Sequence, residues 1–234
     1  MTNPPEPDPA GAGSAPSAAG PGLFVALEGG DGAGKSTQAR LLGDWLRERG
    51  HQVLLTFEPG ATPVGRAIRE VLLHGEHVTA RAESLLFAAD RGHHVETVVR
   101  PALARGIVVV TDRYMDSSIA YQGAGRDLAV GDVERLSRWA TQDLLPDLTV
   151  VLDVSSATGR RRRGEVHDRL ESEPDAFHDT VRRRYLDLAA RAPERYLVVD
   201  ADRTVDELQH AIRDRVAGLL EAGPAPGAEE RGLG

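Results

Sequence analysis

The chain has 234 residues and a mass of 25.1 kDa, enough for one sizeable α/β domain, with the 41% hydrophobic and 27% charged residues of an ordinary globular protein. It contains no cysteine, which excludes disulfide scaffolds, thiolate metal sites and a cysteine nucleophile. Its 28 basic and 36 acidic side chains leave a net charge of −8, which argues against a general nucleic-acid binder but not against local basic clefts. No apolar run approaches the roughly 18 residues needed to span a bilayer.

Of the basic residues, 27 are arginine and one is lysine, Lys35. Base composition of the gene accounts for arginine over lysine in general. It does not account for where the exception falls.

Residues 1–22 are rich in Pro, Ala and Gly, without apolar periodicity, and read as a disordered tail. With no basic n-region and no apolar h-region, a signal peptide is not expected there. Residues 221–234 have a similar composition and read as a second disordered tail. Between them, residues 23–220 carry five short continuous apolar runs: Leu23–Glu28, Gln52–Phe57, Ile107–Thr111, Thr149–Val154 and Tyr196–Asp200. Continuous rather than alternating runs are how strands buried on both faces read. Helical spacing lies between them: Leu41, Leu42, Trp45 and Leu46 before Gly50; a helix over 80–100 ending near Pro101; and Val205, Leu208, Ile212, Val216 and Leu219 in 204–220. Strands alternating with helices predict a single α/β domain, a parallel sheet covered on both faces. Ligands of such sheets sit beyond the carboxyl ends of the strands. Those ends carry Glu28, the Glu58-Pro59 loop, Asp112, Asp153 and Asp200, a ring of acids suited to a polyphosphate–magnesium ligand.

After the first strand comes Gly29-Gly30-Asp31-Gly32-Ala33-Gly34-Lys35-Ser36, followed by Thr37 and a helix, a phosphate-binding loop in the required strand–loop–helix context. Its glycines let successive N–H groups turn inward around phosphate oxygens, and the helix N-terminus adds partial positive charge. Lys35 reaches the β- and γ-phosphates of a bound nucleotide and the Ser36 hydroxyl is placed to ligate Mg²⁺, with Asp112 or Asp153 to orient its waters. Phe87 and Arg91 stand four apart on a helix and share a face, a plane for a base beside a charge for a phosphate. In a helix over 115–122, Ser118, Tyr121 and Gln122 also share a face, with hydroxyl and amide groups able to read base edges. His93 and His94 diverge on their helix and do not chelate one metal; His74 and His77 flank Gly75 in a turn and read as surface residues.

From about residue 23 to residue 215 the chain resembles the thymidylate (dTMP) kinases. The segments that carry the likeness include Phe24–Thr37 (FVALEGGDGAGKST), Glu58–Thr62 (EPGAT), Phe87–Arg91 (FAADR), Asp112–Tyr114 (DRY), Ser117–Arg126 (SSIAYQGAGR), Pro146–Val154 and Asp168–Glu171 (DRLE). The resemblance implies a P-loop nucleoside monophosphate kinase-like fold with a five-stranded parallel sheet and helices on both faces. It implies transfer of the γ-phosphoryl group of ATP to dTMP, giving dTDP, with Mg²⁺ as cofactor. By the same likeness Phe87 stacks on thymine, Arg91 binds near base and phosphate, and Ser118 and Gln122 contact the base. Tyr121 crowds a 2′-hydroxyl, Arg69 and Arg113 hold the acceptor phosphate, Glu58 belongs to the acceptor site, and Asp31 lies near the acceptor sugar. A lid at about 160–173 follows the fourth strand; since the phosphate loop has no arginine, the resemblance to the bacterial subtype assigns the transition-state arginine to Arg169 and an ATP contact to Arg160 or one of its neighbours through Arg163. Phe57 stands where the family has Arg, Ala61 where it has Gly, and the stretch from Arg160 to Arg169 is short. A homodimer, using the 80–100 helix, and a cytoplasmic location also follow from the resemblance alone.

Two other readings remain at this stage. A nucleoside kinase would phosphorylate a 5′-hydroxyl and need a base, for which Glu28 or Glu58 is available. A non-catalytic nucleotide-sensing switch would keep the phosphate loop and bind a partner instead.

Overall fold

The computed structural model describes residues 22–125, 128–162, 169, 170 and 172–222. Five strands, β1 (Phe24–Gly29), β2 (Val53–Phe57), β3 (Val108–Asp112), β4 (Leu148–Asp153) and β5 (Tyr196–Asp200), form one parallel sheet in the order β2-β3-β1-β4-β5. The apolar runs thus locate every strand to within a residue. β1 is central, pairing Ala26 with Thr111 of β3 and with Thr149 of β4, and all six of its residues are buried.

Its alternation explains both layers. Val25 and Leu27 face one side, where α1 (Lys35–Glu48) supplies Leu42, Trp45 and Leu46 and α9 (Val205–Ala222) supplies Leu208, Ile212 and Val216. Phe24 and Ala26 face the other, against Val95, Val99, Tyr114, Ile119 and Leu188. That layer is built from α3 (Ala80–His94), α4 (Arg100–Ala104), α5 (Met115–Gly125) and α8 (Asp175–Arg191). A short α2 (Pro63–Arg69) starts on Thr62, whose Oγ1 accepts from the Gly65 N–H at 2.9 Å. The remaining helices are α6 (Val130–Thr141) and α7 (Ser156–Arg162).

Three boundaries differ from expectation. The 80–100 helix does not stop at Pro101: a wide turn over Val95–Val99 carries it into α4, and the Arg100 N–H bonds the Val95 carbonyl five residues back. Pro101, which has no N–H to give, is the second residue of α4, just after that turn. α9 runs to Ala222, into the expected tail. Gly22, expected in the tail, donates to the Leu103 carbonyl at 3.0 Å. The rest of both expected tails, residues 1–21 and 223–234, lies outside the described residues, as do Arg163–Asp168 and Glu171 of the expected lid.

Leu42 is fully buried between sheet and α9. Leu42→Ala is expected to lower unfolding stability by about 2–5 kcal/mol, read from urea denaturation midpoints at unchanged slope.

Candidate active site

The phosphate loop leaves β1 at Gly29 and ends on Gly34, where φ of 94° delivers the chain into α1. Gly32 shows why glycine is needed: φ is 78°, and a Cβ would lie 2.4 Å from the Gly159 carbonyl of α7. With no side-chain cap on α1, its first N–H groups are left for an anion. Lys35 folds back over the loop, donating from Nζ to the carbonyls of Gly29 (3.1 Å) and Gly30 (2.9 Å). Burial, reinforced by the nearby Arg113 charge, holds its pKa below the usual lysine value. Ser36 and Thr37 are exposed on the first turn, Ala33 is packed beneath it, and the Ser36 hydroxyl bonds the Asp112 carboxylate.

Of the expected ring of acids, two members are committed elsewhere. Asp153 takes a two-pronged ion pair from Arg182 (2.5 and 2.8 Å), and Asp200 accepts from the Asp202 N–H within its own turn. Asp112 is therefore the carboxylate beside Ser36, and Asp153 does not share that place.

Glu28 is fully buried beneath the loop. Its Oε1 accepts the N–H groups of Tyr114 (2.8 Å) and Ser117 (3.1 Å); its Oε2 accepts the hydroxyls of Ser117 (2.6 Å) and Tyr185 (3.1 Å). Burial, with the charge of Asp116 behind it, still pushes the carboxyl up to about 7.

A single cavity of about 1420 Å³ runs from Lys35 and Ser36 past Asp112 and Arg113 to Phe87, Arg91 and Gln122. Arg113 takes the left-handed φ of 72° at the β3–α5 junction. Its guanidinium pairs with Asp31 and donates to Ser117 Oγ (3.1 Å), while Tyr121 donates to the other Asp31 oxygen at 2.7 Å. Arg69 donates to the Pro59 carbonyl at 2.8 Å. Phe87 and Arg91 line the same wall, as the four-residue spacing predicts, and so do Ser118, Tyr121 and Gln122 of α5. Arg91 is 1% exposed; it binds Glu58 (2.7 Å), the Tyr114 carbonyl and Ser118 Oγ (both 3.1 Å), while its Nη1 is buried without a partner. Phe57 also lines the cavity, at the position where an arginine was expected.

Sequence reasoning missed His94. It is fully buried, Nδ1 at 2.9 Å from Glu58 and Nε2 at 2.7 Å from Thr56 Oγ1, so it braces the carboxylate that braces Arg91. His74 and His77 are on the surface, as read. Arg169, expected to supply the transition-state charge, donates here to the Leu72 carbonyl (3.1 Å) and pairs with Glu83, a fully buried carboxylate that draws a counter-ion. Arg160 pairs with Asp175 of α8 and is not among the residues lining the cavity, whereas Arg162 is.

The model of the family described as thymidylate kinase matches residues 27–212. The chain belongs to the thymidylate kinase family. It is 57% identical over 206 residues to the thymidylate kinase of Clavibacter michiganensis subsp. michiganensis, covering 86% of this chain and 98% of that one. To the thymidylate kinase of Cutibacterium acnes it is 53% identical over 201 residues (85% and 98%), and to that of an Exiguobacterium species 42% over 207 residues (86% and 97%). The reaction is that of a dTMP kinase, with ATP as phosphoryl donor. Among the described residues no helix is long and apolar enough to cross a membrane.

The raised Glu28 pKa has a definite consequence. Below the ordinary value of 4.5 the group is protonated folded and unfolded; between 4.5 and about 7 the unfolded chain releases its proton and the fold retains it, so this stabilisation is lost as pH rises through that window. Relative to Glu28→Gln, wild-type stability is expected to fall by up to about 1.4 kcal/mol per pH unit there, measured by denaturation across pH.

Proposed function

We propose that the cavity is where ATP and dTMP meet, the donor phosphates over Gly29–Thr37 and the acceptor between Phe87, Arg91 and the Ser118/Tyr121/Gln122 face. The observation that carries this reading is the continuity of one cleft from Lys35 to Phe87.

The acceptor is itself a phosphate, with a second pKa near 6, so it is largely a dianion at neutral pH and no base is needed to prepare it. That agrees with the state of the two candidate bases: Glu28 is saturated by four donors and Glu58 is held by Arg91 and His94. The hydroxyl-acceptor reading loses its base accordingly. The chain's own work is positioning and charge neutralisation. Lys35 is poised on the loop carbonyls to swing to the phosphates. Arg113 and Arg69 present forked donors to the acceptor phosphate, with Asp31 and Tyr121 fixing the Arg113 plane and facing the sugar. Phe87 stacks on the base. Arg162, lining the cleft, is the lid arginine placed to add charge, while Arg169 belongs to the base side.

The cofactor is Mg²⁺, for which Ser36 Oγ and Asp112 form a fitting hard-oxygen pair at the start of α1. No group of three or more His, Cys, Asp or Glu side chains among the described residues is arranged for a metal, which suits an ion that takes one or two protein oxygens and keeps water and phosphate. When bound, it neutralises charge on the phosphate oxygens. The chain is proposed to act as a homodimer in the cytoplasm; Leu85 (53% exposed) on α3 and Trp139 (79% exposed) on the adjoining α6 support an apolar contact there, and the location rests on the family resemblance.

ADP release with Mg²⁺-ATP is expected to be fastest with dTMP and absent with thymidine; turnover of thymidine but not dTMP would place the chemistry at a hydroxyl. Lys35→Ala should lower kcat by orders of magnitude with the fold intact by circular dichroism. Phe87→Ala should raise the dTMP KM with little change in kcat, and an unchanged KM removes its stacking role.

A further inference from the structure

At the base end of the cleft lies a carboxylate that no step of phosphoryl transfer uses. Glu83, on α3, is fully buried. Its two oxygens are divided: Oε1 accepts from Gln122 Nε2 at 3.0 Å, and Oε2 pairs with Arg169, itself anchored on the Leu72 carbonyl. A carboxylate in such a pair only accepts, so the Gln122 amide must turn its NH₂ group towards it. The amide oxygen of Gln122 has no partner among the described residues and is left to the cavity that Gln122 lines. Next to it, Ser118 Oγ accepts from Arg91 at 3.1 Å, so its hydroxyl proton is available to the same cavity. The wall therefore offers an acceptor beside a donor.

An imide base presents the complement, a ring N–H beside a carbonyl. A 4-aminopyrimidine puts a ring-nitrogen lone pair where the imide has its N–H, against the Gln122 oxygen, and one such mismatch in a dry site costs more than the missing bond. We propose that Glu83 is a specificity-determining positioning residue: it holds the Gln122 amide oxygen towards the cavity, so that the pocket accepts imide pyrimidines and rejects 4-aminopyrimidines, with Arg169 keeping the carboxylate in place. This rests on the reading that Gln122 meets the acceptor base.

The test is kcat/KM of the full chain for dTMP, dUMP and dCMP with Mg²⁺-ATP. It compares wild type with Glu83→Gln, Gln122→Ala and the double exchange Glu83→Gln/Gln122→Glu. In Glu83→Gln the Arg169 guanidinium claims the new amide's oxygen, its NH₂ faces Gln122, and the Gln122 amide must turn over. dTMP and dUMP then fall together while dCMP rises, lowering the dTMP:dCMP ratio by at least about ten-fold, the scale of one reversed buried hydrogen bond. The double exchange keeps that hydrogen bond with its roles reversed, returns an acceptor oxygen to the cavity and restores the preference for dTMP. A role for Glu83 in stability alone lowers all three acceptors in parallel, and an unchanged ratio in Glu83→Gln overturns the proposal. Should the single variant not fold, the double exchange decides: a dTMP preference like that of wild type supports the proposal and a lost one overturns it. If Gln122→Ala leaves all three acceptors as in wild type, the fault lies in the base-contact reading, and the proposal falls with it.

Discussion

The Glu28 carboxylate, at the end of the central strand, gathers four donors from two parts of the chain: the backbone of Tyr114 and Ser117 with the Ser117 hydroxyl, and the Tyr185 hydroxyl of α8. An unpaired charge there would be untenable, so the β3–α5 junction and α8 must arrive together. With the next residue's N–H drawn down to Glu28, Arg113 turns the corner in the left-handed region, at a cost of about 1–2 kcal/mol. That turn aims its guanidinium across the cleft at Asp31 and the Gly29 carbonyl. One buried acid thus sets where Arg113 points relative to the phosphate loop.

The end of the cleft lined by Phe87, Arg91 and Ser118 is organised by the same rule, with a chain of pairs in place of one hub. Thr56 on β2 holds His94, His94 holds Glu58, Glu58 holds Arg91, and Arg91 holds Ser118. Neutral histidine satisfies both neighbours when Nδ1–H donates to Glu58 and the Thr56 hydroxyl donates to Nε2. Three of the five Arg91 N–H groups are spent on this scaffold, and Nη1 is buried with none. An orphan donor of that kind in a substrate cleft is costly unless something fills it. On the proposed reading the acceptor nucleotide is the ligand whose oxygens would do so.

Much of this was legible in the sequence, and what was not has a common cause. Strands buried on both faces leave continuous apolar runs, and the phosphate loop is a local motif, so β1–β5 and Gly29–Thr37 could be placed from spacing. Phe87 with Arg91, and Ser118 with Gln122, needed only helical phase. His94, Glu83 and the Asp153–Arg182 pair were invisible because each is decided by a partner on another element, and no pattern within 80–94 says which polar side chain of α3 meets β2, α5 or Arg169. Arg169, assigned a role by family likeness, pairs with Glu83, a contact that no spacing within the chain predicts. Pro101 reads as a stop signal, yet a turn widened by one residue makes its missing N–H harmless.

The solitary lysine follows from the same geometry. Between the Gly29 and Gly30 carbonyls the loop admits a slim stem and a compact ammonium, whose three donors can leave two carbonyls for phosphate oxygens without reorienting a plane. A guanidinium is wider, and its fork would span the loop in place of entering it. For Arg91, Arg113 and Arg169 the demand is the opposite: each divides its donors among two or more fixed oxygens, and a point charge could not hold two such partners in defined directions. A chain that uses arginine for its other long cationic side chains keeps lysine where, on the proposed reading, the charge moves from the loop carbonyls to phosphate oxygens.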